Sequence, residues 1–165
     1  MIPELALRPL RPDDGAALAD LHRRAILAVA PRFYSRAELV SWAYGIDPEA
    51  YAKIAATTER FVIAELADEV ITGFCSWRMV DAVSGRICGL YVDPRHQGTG
   101  AGKGMLKAGE DTMIDDGARQ IVIEASLAAV PFYVSQGYFA EHRELSETRG
   151  GRKIPVRWMR KVLTP

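Results

Sequence analysis

The chain has 165 residues, and its 21 basic side chains are balanced by 21 acidic ones, so its formal net charge is zero. Hydrophobic residues at 48% and charged residues at 25% exclude a disordered or fibrous chain, and the zero balance argues against a broad nucleic-acid footprint. Two cysteines cannot form a disulfide scaffold, and no stretch approaches the roughly 18 apolar residues of a spanning helix. One domain over residues 1–165 is therefore expected, in the cytoplasm and without a membrane partner.

Leu5 to Leu7 reads as a short strand before the breakers Pro9 and Pro12. Asp13 or Asp14 is positioned to cap a helix whose apolar residues Leu18, Leu21, Ala25 and Ile26 share a face. Ser35-Arg36-Ala37-Glu38 has capping-box spacing, and a helix through Leu39, Val40 and Trp42 should follow, ending near Gly45. Asp47-Pro48-Glu49 reads as a cap, a proline at the first helical position and an acid in the first turn of a helix through Tyr51 and Ile54.

From Phe61 the pattern changes to strands. Phe61–Leu66 and Ile71–Trp77, joined by a turn at Asp68-Glu69, read as an antiparallel pair. Arg86 to Val92 is a third strand, closed by Asp93-Pro94. A glycine-rich loop leads to a helix from about Ala101, with Met105, Leu106, Gly109 and Met113 inward and Gly117 ending it. Ile121–Ile123 is a buried strand, and Val130 to Gln136 a short helix stopped by Gly137. Two more strands surround Gly150-Gly151. The order predicts an α+β fold with a mostly antiparallel sheet whose faces are covered by helices.

The most informative stretch runs from Val92 to Gly104, where a strand ends and glycines 98, 100, 102 and 104 alternate into a helix. Glycines let backbone amides approach a ligand closely, and a helix start adds unpaired donors, so together they suit an anion. A Walker loop would need glycine at 97 and Ser or Thr at 104, where Gln97 and Gly104 stand. A dinucleotide fingerprint from Gly98 would need glycine at 103, which is Lys103. A plain tight turn would need only two glycines, and each glycine inside the helix costs roughly 1 kcal/mol.

Gln97-Gly98-Thr99-Gly100-Ala101-Gly102 resembles the acetyl-CoA signature of the GCN5-related N-acetyltransferases, in which Gln/Arg-x-x-Gly-x-Gly/Ala follows a strand ending Val-x-Pro. The order of elements from Leu5 to Val162 also fits that family, whose fold has about seven strands with helices on both faces. The resemblance implies acetyl-CoA as co-substrate and no metal. It implies that Gln97 and the amides of Gly98, Thr99, Gly100, Ala101, Gly102 and Lys103 hold the pyrophosphate. It also implies that Leu90, Tyr91 and Val92 bond the pantetheine arm through their backbone. Ser126 to Tyr138 is similar to the family's Asn-x-x-Ala-x-x-Phe-Tyr-x-x-x-Gly-Phe, with Ser126 in place of the asparagine. Tyr133 falls on the tyrosine that protonates the departing thiolate, a role open to a phenol with an ordinary pKa of about 10. Read without the resemblance, Tyr133 is a core tyrosine with a satisfied hydroxyl.

Direct transfer also needs a route for the acceptor's proton. Glu124 and Asp81 are candidate bases beside a water chain, though each also reads as a solvated or ion-paired carboxylate. His22 reads as a packed or surface histidine, and His96 lies beside the glycine loop. Cys75 and Cys88 alternate with apolar residues and read as small core side chains, which leaves a covalent acyl-cysteine without support. Acceptor choice is expected in the region before Phe61 and in the loop from Val80 to Ser84. Phe33, Tyr34, Trp42 and Tyr44 there read either as apolar helix faces or as pocket lining. The basic residues from Arg149 to Lys161 read as alternation on an exposed strand pair.

These observations predict an N-acetyltransferase moving acetyl from acetyl-CoA to a primary amine of a small molecule or peptide. The alternative is a non-catalytic CoA-binding sensor or partner-binding module on the same fold. A homodimer through exposed sheet edges near the C-terminus fits either reading.

Overall fold

The computed structural model describes residues 4–164. The chain forms strands β1 (Leu5–Arg8), β2 (Arg60–Leu66), β3 (Ile71–Met79), β4 (Ser84–Val92), β5 (Gln120–Ser126), β6 (Phe139–Glu147) and β7 (Lys153–Val162). Its helices are α1 (Gly15–Leu27), α2 (Arg36–Ala43), α3 (Ala50–Thr57), α4 (Ala101–Asp115) and α5 (Val130–Ser135). The strands make one sheet in the order β1-β2-β3-β4-β5-β7-β6. Every neighbouring pair is antiparallel except β4 and β5, which α4 connects as a crossover. The α+β architecture read from the sequence is the one observed.

Each face of the sheet buries its own core. Met105, Leu106 and Met113 of α4 pack with Ile121, Ile123 and Ala125 of β5 and with Tyr133 on one face. On the other, Leu18, Leu21 and Ile26 of α1 pack with Leu39, Tyr51, Ile63 and Phe74. Close approach on the first face depends on missing side chains. A Cβ on Gly109 would stand 3.0 Å from the Trp77 ring, and one on Gly85 would overlap Met113 Sδ at 2.4 Å.

Local signals behave as expected at α2, where Ser35 Oγ accepts from the Glu38 amide at 3.2 Å and the Glu38 carboxylate accepts from the Ser35 amide at 2.8 Å. The expected acidic cap on α1 does not form. Asp14 occupies the N-cap position in helical geometry without a side-chain cap bond. Its carboxylate instead accepts from the Arg8 guanidinium at 2.8 and 2.9 Å and from the Arg11 amide at 2.7 Å. α3 begins later than Asp47-Pro48-Glu49 suggests, because Asp47 Oδ1 accepts from the Glu49 amide and closes a turn before the helix.

Two irregularities in β4 shape the molecule's centre. Ser76 pairs with Gly89 while Trp77 pairs with Ile87, so Cys88 is an extra residue in a β-bulge opposite β3. On the other side, the parallel pairing runs only from Ser84↔Gln120 to Ile87↔Ile123. Beyond it β4 continues to Val92 beside β3 and β5 continues to Ser126 beside β7. The strands part after Ile87, and the gap between them joins the two faces of the sheet.

Candidate active site

The glycine loop starts from a fixed anchor. Asp93 is fully buried and its carboxylate accepts from Arg24 of α1 at 2.8 Å, from the Arg95 guanidinium at 2.8 Å and from the Arg95 amide at 2.9 Å. The bonds from Arg95 and Arg24 hold its pKa well below the usual carboxylate range, against the effect of burial. From this anchor the chain passes through Gly98 (φ +80) and Gly100 (φ +84), both left-handed, and enters α4 at Ala101. The first helical bond of α4 is Gly104 N–H to Gly100 C=O at 2.9 Å. Among the described residues no protein acceptor meets the amides of Gly98 to Lys103, which are the free donors of a helix start.

These amides border a cleft of about 480 Å³, lined by Leu90 and Val92 of β4, the loop from Gln97 to Lys103, and Ala128, Phe132 and Tyr133. Gly102 lies against its wall, where an added Cβ would stand 3.6 Å from Val92 and 3.7 Å from Phe132. Tyr133 is 3% exposed and stacks edge-on against Phe132 and Tyr138. Burial drives its pKa well above 10, so the phenol keeps its proton across the physiological range, and no hydrogen bond contributes to that shift.

Of the cofactor residues expected from sequence, Leu90, Val92, Gln97, Gly98, Thr99, Gly100, Ala101, Gly102 and Lys103 come together here with Tyr133. Tyr91 and Ser126 do not line this cleft. Side chains alternate along a strand, so Tyr91 lies on the opposite face against His22, at a ring separation of 4.2 Å, and against Phe74. Ser126 shares with Glu124 the face of β5 opposite Ile123 and Ala125 and lines a second cavity of about 170 Å³ with Arg86 and Trp42.

A third cavity of about 200 Å³ lies on the same face as that second one and shares Cys88 and Tyr91 with it. Its walls include His22 of α1, Tyr51 of α3, Glu59, Phe61, Phe74 and Arg149. His22 is 6% exposed, its Nδ1 lies 3.0 Å from the Tyr51 hydroxyl, and its Nε2 is buried without a partner. Burial, then the charges of Arg149 and Arg23, lower its pKa to about 3, so the ring is neutral. Of the two readings open from the sequence, packed or surface, His22 is the packed one, and it also lines a cavity. That placement was legible in its spacing, four residues after Leu18 and four before Ile26 on the buried stripe of α1. Glu59 and Arg149 carried no such signal.

Asp81 is not brought to either opening. It sits in the β3–β4 turn, at the end of β4 opposite Val92, and accepts from the Val83 amide at 2.8 Å. That bond lowers its pKa and makes it a poor base. The Val80–Ser84 loop lies outside the cavities for the same topological reason. Glu124 does border the second cavity, paired with Arg86 at 3.3 Å. Of the early aromatics, Trp42 lines that cavity and Tyr34 is core, whereas Tyr44 is exposed. His96 Nδ1 lies 4.0 Å from the Asp93 carboxylate, and the residue does not line the glycine-loop cleft. Burial raises the Cys88 thiol to about 11 and the Cys75 thiol further, which keeps both protonated.

The sequence profile described as the acetyltransferase (GNAT) domain matches residues 32–161. The chain belongs to the GNAT acetyltransferase family. The GNAT chain is 38% identical over 71 residues to the uncharacterized N-acetyltransferase YjcF of Bacillus subtilis (strain 168), a match covering 43% of this chain and 47% of that protein. It therefore spans about half the length of this curated relative. Its fold superposes with a TM-score of 0.84 on a GCN5-related N-acetyltransferase from Rhodopseudomonas palustris, at 28% identity over 99% of both chains. The PaiA N-acetyltransferase of Thermoplasma acidophilum in complex with coenzyme A shares the fold at a TM-score of 0.74 and 19% identity, over 97% of this chain and 99% of that one. Among the described residues no helix is long and apolar enough to cross a membrane.

Proposed function

We propose that this GNAT protein binds acetyl-CoA in the glycine-loop cleft and transfers the acetyl group to a primary amine entering from the other face of the sheet. The observation that carries this reading is the row of amides from Gly98 to Lys103, free of protein acceptors, in a cleft whose wall includes the Tyr133 side chain. Converging amides at a helix start suit a pyrophosphate, which needs no side-chain charge to be held. The unpaired edge of β4 beyond Ile87 offers the backbone of Leu90 to Val92 to an extended pantetheine arm. The coenzyme A in the PaiA neighbour supports the same ligand here. The two free thiols fit the expected reducing cytoplasm.

In the transfer step the neutral amine nitrogen attacks the thioester carbonyl, the carbon–sulfur bond breaks, and the sulfur leaves as a thiolate. Tyr133, protonated at neutral pH, donates its proton to that sulfur as its charge develops. The phenolate takes a proton back from solvent as CoA leaves, matching the one the amine gives up. The proton released by the amine leaves toward the acceptor face. There Glu124 is tied to Arg86, while Glu59 has no ion-pair partner among the described residues. An alternative reading as a CoA-binding module gives the Tyr133 hydroxyl no task.

The test is release of free thiol from acetyl-CoA against a panel of amino acids, amines, polyamines, aminoglycosides and short peptides. Acceptor-dependent release with an N-acetylated product by mass spectrometry is the expected result. Tight acetyl-CoA binding with no release for any acceptor would favour the binding module.

A further inference from the structure

The cavity lined by His22 and Arg149 has a charge layout that points to a substrate class. We propose that the acceptor is a single amino acid or a close zwitterionic analogue, its carboxylate held by Arg149 and its amine directed toward Glu59 and the β4 bulge. The proposal rests on the acetyltransferase reading and narrows its acceptor.

Arg149 sits in the β6–β7 turn, which is fastened to α2. The Thr148 and Ser41 hydroxyls are 2.6 Å apart, and the Gly150 amide donates to the Ser41 carbonyl at 2.9 Å. A Cβ on Gly150 would overlap Ser41 Oγ at 2.5 Å, so the turn packs flush against the helix. The Arg149 guanidinium reaches the Trp42 carbonyl at 2.7 Å and lines the cavity without a carboxylate partner among the described residues. Arg160 pairs with Glu141 at 2.7 Å and Lys161 with Glu110 at 3.0 Å. Arg152, Lys153 and Arg157 also lack a carboxylate partner among the described residues, but Arg149 is the one of these cations that lines the cavity. A preorganised, unpaired guanidinium at a cavity wall is suited to a carboxylate.

The charges are separated along the cavity. Arg149 is bonded to Trp42, whose ring lies 6.5 Å from Tyr91. Glu59 precedes Arg60, which the register sets opposite Trp77 and so level with Ile87 and the bulge. Asp47, the other acid in the wall, accepts from the Glu49 amide at 3.0 Å. Cys88 is the bulged residue where β4 leaves β5, beside the gap that opens toward Tyr133. An amine near Glu59 therefore lies beside Cys88, where the gap begins, and a carboxylate near Arg149 lies toward Tyr91. His22 lines the same cavity, and its Nε2 is buried without a partner. Of the two tautomers open to the neutral ring, the one in which the Tyr51 hydroxyl donates to Nδ1 carries its proton on Nε2, where it would be a second donor for a carboxylate. About 200 Å³ corresponds to about seven water molecules at about 30 Å³ each, the scale of one amino acid. Phe61 and Phe74 in its walls suit an aliphatic side chain.

The test uses matched triplets built on the alanine, valine and leucine side chains: the L-amino acid, its primary amide, and the amine lacking the carboxyl group. Binding to the full chain saturated with CoA is measured by calorimetry, and turnover with acetyl-CoA by thiol release. In at least one triplet the amino acid should bind and react better than both partners by about 10- to 100-fold, the span of a charged hydrogen-bonded pair. Arg149→Gln should reduce that preference to within about threefold, and Arg149→Lys should retain part of it, with the unfolding midpoint confirming that both variants fold. Equal use of all three members, or an undiminished preference in Arg149→Gln, would overturn the proposal. So would acetylation confined to polyamines or peptides, which leaves the acetyltransferase reading standing. Selective amino-acid binding without transfer would support the pocket assignment and count against the acetyltransferase reading.

Discussion

Replacing His22 with phenylalanine should reverse the order of stability between the variant and the natural chain as pH falls. The imidazole is neutral in the folded state, with a pKa lowered to about 3, against about 6.5 when the chain is unfolded. Because the folded value lies below the unfolded one, the unfolded chain binds more protons between these limits. Stability from this group is complete above about pH 6.5 and is lost as pH falls toward 3, by about 1.4 kcal/mol per unit. At pH 4.5 the loss amounts to about 2.7 kcal/mol. In His22→Phe the ring still packs against Phe74 and Tyr91, but the Tyr51 hydroxyl loses its partner at a cost of about 1 kcal/mol. The variant should therefore be less stable at pH 7.5 and more stable at pH 4.5, the curves crossing between about pH 5 and 6. Urea unfolding of both proteins at half-unit pH steps measures this, and carboxylates common to the two cancel in the difference. Parallel pH curves would refute the argument that His22 is held neutral by its surroundings.

Asp93→Asn should lower stability by about 2 kcal/mol at neutral pH, below the usual value for a buried pair because Arg24 and Arg95 are partly solvated. It should also weaken acetyl-CoA binding by loosening the loop, as urea unfolding and calorimetry would show. The Asp93 pKa is depressed, so the natural chain should lose this stability as pH falls below about 4, and the variant should not. Gly100→Val places a branched residue at φ +84 and should cost about 1–2 kcal/mol while removing acetyl-CoA affinity measured by calorimetry. Gly104→Ala, whose Cβ would meet only Leu7 Cδ1 at 3.8 Å, should instead raise the unfolding free energy by up to about 1 kcal/mol with binding intact. Ser35→Ala removes the capping box of α2 and should cost about 1 kcal/mol in thermal or urea unfolding.

Period and punctuation carried most of the fold. The buried faces of α1 and α4, the Gly117 and Gly137 stops and the β6–β7 turn at Gly150-Gly151 were all legible, because local chemistry and tertiary packing agree there. Asp14 misled because a carboxylate that is near a helix start is also near Arg8, and the ion pair prevailed over the cap. The glycine cleft was legible because its donors are contiguous in the chain. The acceptor face was not. Arg149, Glu59 and His22 lie far apart in sequence and meet only because the β6–β7 turn folds back over α2. Ser126 lines the acceptor-side cavity rather than the glycine cleft, because strand alternation puts it on the face of Glu124 once β5 is in register with β7.

The most direct test of acetyl transfer through this cleft is the pair of values for Tyr133→Phe: acetyl-CoA affinity by calorimetry and CoA release with a working acceptor. Removing one hydroxyl from a packed ring leaves the cleft's shape intact, so affinity should remain within about threefold while turnover falls by about 100-fold. Unchanged turnover across the pH range would contradict the account, because it would remove from the reaction the side chain on which the proposed proton donation depends.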